Sequence, residues 1–501
     1  MKKILCVLLC VVLLLGVLVS CRKADDPGAT DGNESTSQDA GNGDQLGEDS
    51  SETETTRKQE MTAEDFSQGG VARDFNMMVR VGRYDYLYAE KDSVDHVTHG
   101  VFVRNSKIEK DYGIKFKIYE PAAPDGNNSK ATGFVNALAA STGEYDLSVP
   151  DYWWLLEYQG YFVNLFDREE LGFNQGGLNQ DYWYTSWNDN TTVNNKLYTV
   201  VGDASLEVLY NIEVVYFNKA MTDSLDIDMY QLVNDKEWTL DKMFDIGKQF
   251  SKGHDTAAED DDSFALIVDN HSTAAMMYSS GIKLTEIDEY GAISLIADSR
   301  FINANIHESL KSIFRSNHTK WYGSTARSDV GAKTSLFVNG NATFYANCLY
   351  VGSSIVKSAS EDFSFGILPA PLYAEGEDYI STAYGVSVFA IPKSSLDLHF
   401  AATILDAYNY YSWNTVVSGF FDSSMKAQLA SGSQDAKMLD IARNGLYFDF
   451  AWILQGGDKL TVHNAYMNAF KADQELTSNV TSAMEKSVPA LGDIMKFYTQ
   501  D

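Results

Sequence analysis

From Asn76 onward, short apolar runs with a two-residue period alternate with longer segments whose apolar residues recur at helical spacing. That alternation confines the body of the chain to an α/β architecture, in which helices cover sheets. Val101 to Lys110 reads as a helix ended by Gly113, and Ile114, Phe116 and Ile118 as a strand. Gly133 to Ala140 reads as a helix, and Tyr145 to Val149 as a buried strand stopped by Pro150. Val214 to Phe217 is a further buried strand. Thr239 is placed to cap a helix that carries Met243, Phe244, Ile246 and Phe250, and further helices follow Ser299 and Ser395. With 501 residues, 44% of them hydrophobic, the chain can bury two substantial cores.

The N-terminal part is different. Lys2 and Lys3 precede an apolar run from Ile4 to Leu18, and small Ser20 stands directly before Cys21. The run is short for a membrane-spanning helix and suits a signal peptide. Leu18-Val19-Ser20-Cys21 resembles a bacterial lipobox, which implies removal of residues 1–20, a lipid on the Cys21 thiol and a place on the extracellular face of the cytoplasmic membrane. The alternatives are an uncleaved anchor or an ordinary signal peptide. Residues 22 to 70 are rich in Asp, Glu, Ser, Thr, Gly and Gln with scarcely an apolar side chain, so 21–70 reads as a lipidated cysteine and a disordered acidic tether.

Cys6 and Cys10 leave with such a signal and Cys21 carries lipid, so Cys348 alone remains and no intramolecular disulfide or cysteine metal cluster is expected. The net charge of −31 divides into +2 before Cys21, −9 over residues 22–70 and −24 over 71–501. Such an acidic body argues against nucleic acid and anionic membrane surfaces as partners and favours a neutral or cationic ligand.

Four segments carry a family resemblance. Lys196-Leu197-Tyr198 with Val215-Tyr216-Phe217-Asn218-Lys219 comes first, followed by Glu237-Trp238-Thr239-Leu240-Asp241. Phe337-Val338-Asn339-Gly340-Asn341-Ala342-Thr343-Phe344 and Phe365-Gly366-Ile367-Leu368-Pro369-Ala370-Pro371 complete the set. In order and spacing they resemble the extracellular solute-binding proteins of ABC importers, family 1, which includes maltose-binding protein. Arg104-Asn105, Ala436 to Asp440 and Leu446 to Phe450 resemble a lipoprotein subgroup of it.

The resemblance implies a two-lobed, periplasmic-binding-protein-like fold with discontinuous lobes, ligand held between them and a hinge of crossing segments. Lobe one is expected at 71–208 plus 346–382, and lobe two at 209–345 plus 383–501. It further implies a monomeric binding protein without catalysis or cofactor, which passes its solute to ABC permease transmembrane subunits; the aromatic cluster and the acidic body point to a mono- or oligosaccharide as that solute. The competing readings are a surface carbohydrate hydrolase and a solute-binding sensor or adhesin without an importer.

In open α/β sheets ligands bind beyond the carboxyl ends of strands. Asp151, Tyr152, Trp153 and Trp154 follow the strand ending at Val149, and a carboxylate beside aromatic rings suits a sugar's hydroxyls and its C–H face. Arg83, Tyr84, Asp85 and Tyr86 follow the first strand. Matching to maltose-binding protein adds Asn211, then Asp269, Asn270 and His271, and Tyr350, with Tyr447 and Asp449 as lesser candidates. Its ligand-contacting Asp-Arg pair is replaced here by the aromatic cluster at 84–86, which argues against maltose itself. Trp183, Trp187 and Trp321 read as packing residues.

Other motifs fall short. The acidic stretch Asp255 to Asp262 lacks the spacing of a calcium loop. His307-Glu308 has Lys311 where a metalloprotease needs its second histidine. Gly385 and Ser387 are followed by Phe389 where a nucleophile elbow needs glycine. No metal ligand set is expected.

Overall fold

The first strand, β1 (Arg73–Val79), buries Phe75, Met77, Met78 and Val79 because it is the middle strand of its sheet. It pairs in parallel with β2 (Ile114–Tyr119) on one side and β3 (Leu147–Val149) on the other. Parallel neighbours require crossovers, which the helices His96–Asp111 and Thr132–Ala140 provide. Gly113 ends the first of these with φ +62°, and a Cβ there would also collide with Asp65 and Ser67. The computed structural model that shows this describes residues 61–499, apart from 125, 127–130, 156–158, 168, 174–176, 254–261, 297–303, 324–327, 422–432, 454–459 and 473–474. The signal segment, Cys21, the tether up to residue 60 and most of the 255–262 acidic stretch lie outside the described residues, as do the side chains of Tyr84 and Trp154.

A second, mixed sheet holds, in spatial order, Phe365–Pro369 (β10), Glu213–Asn218 (β4), Ala342–Cys348 (β9), Phe264–Asp269 (β5) and Thr319–Tyr322 (β8). Every residue of β4, β5 and β9 is buried, which is why these strands read as continuous apolar runs rather than alternating ones. β4 lies antiparallel to β9 and β10, whereas β5 lies parallel to β8 and β9. Thr239 caps the helix Leu240–Lys248 as its sequence position predicts, accepting the Lys242 amide. The fold class is α/β; beside these two sheets, β6 (Thr285–Ile287) and β7 (Ile293–Leu295) form a separate antiparallel pair.

Three boundaries differ from the sequence reading. Residues 61–70 belong to the folded body and not to the tether: the Phe66 amide donates to the Tyr112 carbonyl, its ring meets Phe400 at 4.8 Å, and Glu64 pairs with His399 at 2.8 Å. Met61 and Phe66 supply the apolar contacts that the rest of that segment lacks. The stretch 346–382 sits with the second sheet, because β10 pairs with β4 there. The start of 383–501 sits with the first, because Ser387 and Ala390 bridge to Asp151 and Ser148, and Phe400 packs edge-on against Phe75 at 5.2 Å. Pairing between distant segments decides these placements, and strand order is not a local property of sequence.

The helix Leu398–Ser412 is tied down by Arg104, whose buried guanidinium donates to the Leu87 carbonyl, the Tyr408 hydroxyl, Ser412 and Asn105. Those acceptors satisfy a buried cation without any carboxylate, which the planar donor fork of arginine permits. The Trp183 and Trp187 side chains are buried, and Trp187 donates its indole N–H to the Thr199 carbonyl.

Candidate functional site

Because β1 and β3 are parallel neighbours, their carboxyl ends open at the same edge and bring Arg80 beside Asp151. Asp151 is 5% exposed, ion-paired with Arg80, and caps the turn 152–154 by accepting the Trp153 amide. Burial raises its carboxyl pKa on balance, with the Arg80 and Arg83 guanidiniums opposing the shift. Arg83 also pairs with Glu207 at 2.8 Å, and the Ser387 hydroxyl donates to Glu207. Asp151 and Glu207 thus each stand against a guanidinium at this edge.

The aromatic residues next to this pair form a connected array. Tyr152 is buried and stacks on Trp153 with centroids 5.0 Å apart, and half-buried Trp153 meets Tyr384 edge-on at 5.2 Å. Tyr384 in turn stacks on His271 at 3.5 Å with the planes 27° apart. His271 comes from the other sheet: Asp269, the last residue of β5, caps the helix Asn270–Ser279 in a capping box with Ser272. Tyr384 thus joins a residue at the carboxyl edge of the three-stranded sheet to one at the carboxyl edge of the five-stranded sheet. Stacked and edge-on pairs of this kind contribute about 0.5–1.5 kcal/mol each beyond the area they bury.

The remaining candidates take other positions. Asn211 is 2% exposed; its side-chain amide donates to the Gly385 carbonyl at 2.7 Å and its backbone carbonyl accepts the Tyr384 amide at 3.2 Å, so it clasps the segment that carries Tyr384. Asn270 donates to the Gly323 carbonyl at 3.2 Å beside His271. Tyr350 is half buried in the turn after β9. Asp85 is exposed on the turn Tyr84–Leu87, where Tyr86 lies 5.6 Å from Tyr210. Asp449 is fully buried and accepts the Leu284, Thr285 and Ala451 amides and the Tyr447 hydroxyl, a structural role for both lesser candidates.

Beneath the His271 side lies a polar cluster on the edge of the five-stranded sheet. Lys333 and Asp269 are fully buried and 2.7 Å apart, and Asn347 donates to the same Asp269 oxygen at 3.0 Å. The Cys348 thiol donates to Glu213 at 3.1 Å. Burial, reinforced by the nearby Asp269 charge, pushes Glu213 up to about 8. Among the described residues no group of three His, Cys, Asp or Glu side chains is arranged to hold a metal ion.

Sequence reasoning missed Arg80, Glu207 and Tyr384, and set Ser387 aside. Arg80 follows β1 directly, so the carboxyl-end rule reaches it. Tyr384 has no local signal, because only the crossing of two distant segments sets it between Trp153 and His271.

No protein-family model matches the chain, and no curated protein matches it. Among solved structures it is similar to the maltose-bound MalE3 of T. maritima, with 14% identity, coverage of 83% of this chain and 99% of that chain, and a TM-score of 0.46.

Proposed function

We propose that the chain is the solute-binding subunit of an ABC importer, tethered by lipid on Cys21 to the extracellular face of the cytoplasmic membrane. Its ligand is a mono- or oligosaccharide taken between the two sheets, and it carries out no chemistry of its own. The observation that carries this reading is the Trp153–Tyr384–His271 array. Aromatic rings of this kind suit a sugar's C–H surface, and Asp151, Arg80 and Arg83, next to Trp153 at the same strand edge, suit its hydroxyls.

The location supports capture by closure. Tyr384 rides on a segment that bridges Ile212 at Ala383 and Asp151 at Ser387, so the array sits where the chain crosses between sheets. A ligand touching both sides at once would favour the arrangement that brings them together.

The test is a thermal-shift screen of the full chain against mono- and oligosaccharides, short peptides and polyamines, with product analysis of every sugar. A saccharide that raises the melting temperature and is recovered unchanged is the expected result. Stabilisation by peptides or polyamines alone would overturn the sugar assignment, and turnover of a glycan would overturn the binding-protein reading. Co-purification of the chain with two permease subunits would support the importer role, and its failure in a membrane that contains them would count against it.

A further inference from the structure

The helix Thr185–Thr191 has two faces. Trp187 and Thr191 are buried on one, where Trp187 meets Tyr152 edge-on at 6.2 Å, next to the aromatic array. Thr185, Asn188, Asp189 and, one residue beyond the helix, Thr192 recur at i, i+3, i+4 and i+7 and therefore share the other face. That polar face lines a cavity of about 220 Å³ whose opposite wall is Phe166, Phe173 and Leu178.

Asn188 makes this cavity unusual. It is 5% exposed, yet neither its amide nitrogen nor its amide oxygen has a hydrogen-bond partner among the described residues. A buried carboxamide is normally satisfied, because leaving it bare costs free energy that the fold must supply from elsewhere. This one lines a space with an adjacent carboxylate, two threonines and an aromatic wall.

We propose that the cavity is a second ligand site, separate from the Trp153–Tyr384–His271 array, and that it takes a single neutral sugar ring. The chemistry follows from the two walls. Asn188 offers both a donor and an acceptor, Asp189 offers an acceptor, and the phenylalanine rings cover the ring's C–H face. Among the described residues no lysine or arginine lines the cavity, which disfavours an anion. Its volume falls below the roughly 300–1,000 Å³ of pockets for larger ligands, which limits it to one ring.

Saturation-transfer NMR on the full chain, with glucose, galactose and mannose as separate probes, tests the site. Transfer to at least one sugar should persist in Trp153→Ala, should fall at least tenfold in apparent affinity in Asn188→Leu, and should weaken in Asp189→Asn. Asn188→Leu replaces an unpaired buried amide with an apolar group, so its melting temperature should hold or rise. Phe166→Ala on the opposite wall gives a second probe should Asn188→Leu fold poorly, and it too should weaken transfer. Absence of transfer from all three sugars in Trp153→Ala would overturn the proposal and leave the cavity to water. Transfer unaffected by Asn188→Leu and Phe166→Ala would overturn it as well, as would binding of ethylammonium in place of any sugar. Loss of sugar binding only in Trp153→Ala would support the cleft reading alone, so the two proposals fail independently.

Discussion

Lys333 and Asp269 form an ion pair at 2.7 Å with both side chains fully removed from solvent. Asp269 also caps the helix that presents His271, so the pair fixes one side of the aromatic array as well as the sheet edge. Lys333→Met should strand the Asp269 charge and destabilise the protein by about 3–5 kcal/mol. Chemical denaturation measures this as a lowered midpoint, and a second change, Asp269→Asn, should restore part of the loss by removing the stranded charge.

Glu213 sets a pH dependence. Its carboxyl rises from an ordinary value of 4.5 to about 8 in the folded protein, so the folded state holds a proton that the unfolded state releases. The stability this group contributes is complete below about pH 4.5 and is lost as pH climbs to about 8. Glu213→Gln keeps an acceptor for the Cys348 thiol while removing the titration. Denaturation midpoints of the variant should therefore fall less between those pH values than those of the parent protein.

Asn211 binds two crossing segments together by one donated and one accepted hydrogen bond. Asn211→Leu removes the donor and leaves the Gly385 carbonyl buried without it, at a cost of about 1–3 kcal/mol. Hydrogen exchange should show faster opening of residues 383–387 in this variant, with the remote strands β1 and β2 unchanged.

Trp153→Ala and His271→Ala remove opposite ends of the array. Each should weaken binding of the saccharide found by the thermal-shift screen about tenfold, the equivalent of roughly 1.4 kcal/mol. Calorimetric titration measures the change. Affinity unchanged from the parent protein in both variants would place the sugar elsewhere.

Much of the fold was legible because its cues are local. The two-residue period of Ile114, Phe116 and Ile118, the glycine after the first long helix and the threonine before Leu240 each act within a few residues of where they stand. Asp151 and Trp153 were legible for a related reason, since the end of a strand can be read from its own sequence. Phe66 was overlooked because a single apolar ring in a polar segment gives no periodic signal until Phe400 is found against it.

By itself, then, the sequence determined the α/β class, the acidic and nearly cysteine-free body, some of the strand and helix ends, and the position of Asp151 and Trp153 just after a strand. Only the tertiary structure decided which sheet received β10 and the segment after Ser381, that Asn211 serves as a clasp, and that Tyr384 stands between Trp153 and His271. The physical reason is range. Capping, turns and periodicity are settled by neighbouring residues, whereas strand order and ring contacts depend on burying surfaces that lie more than a hundred residues apart along the chain.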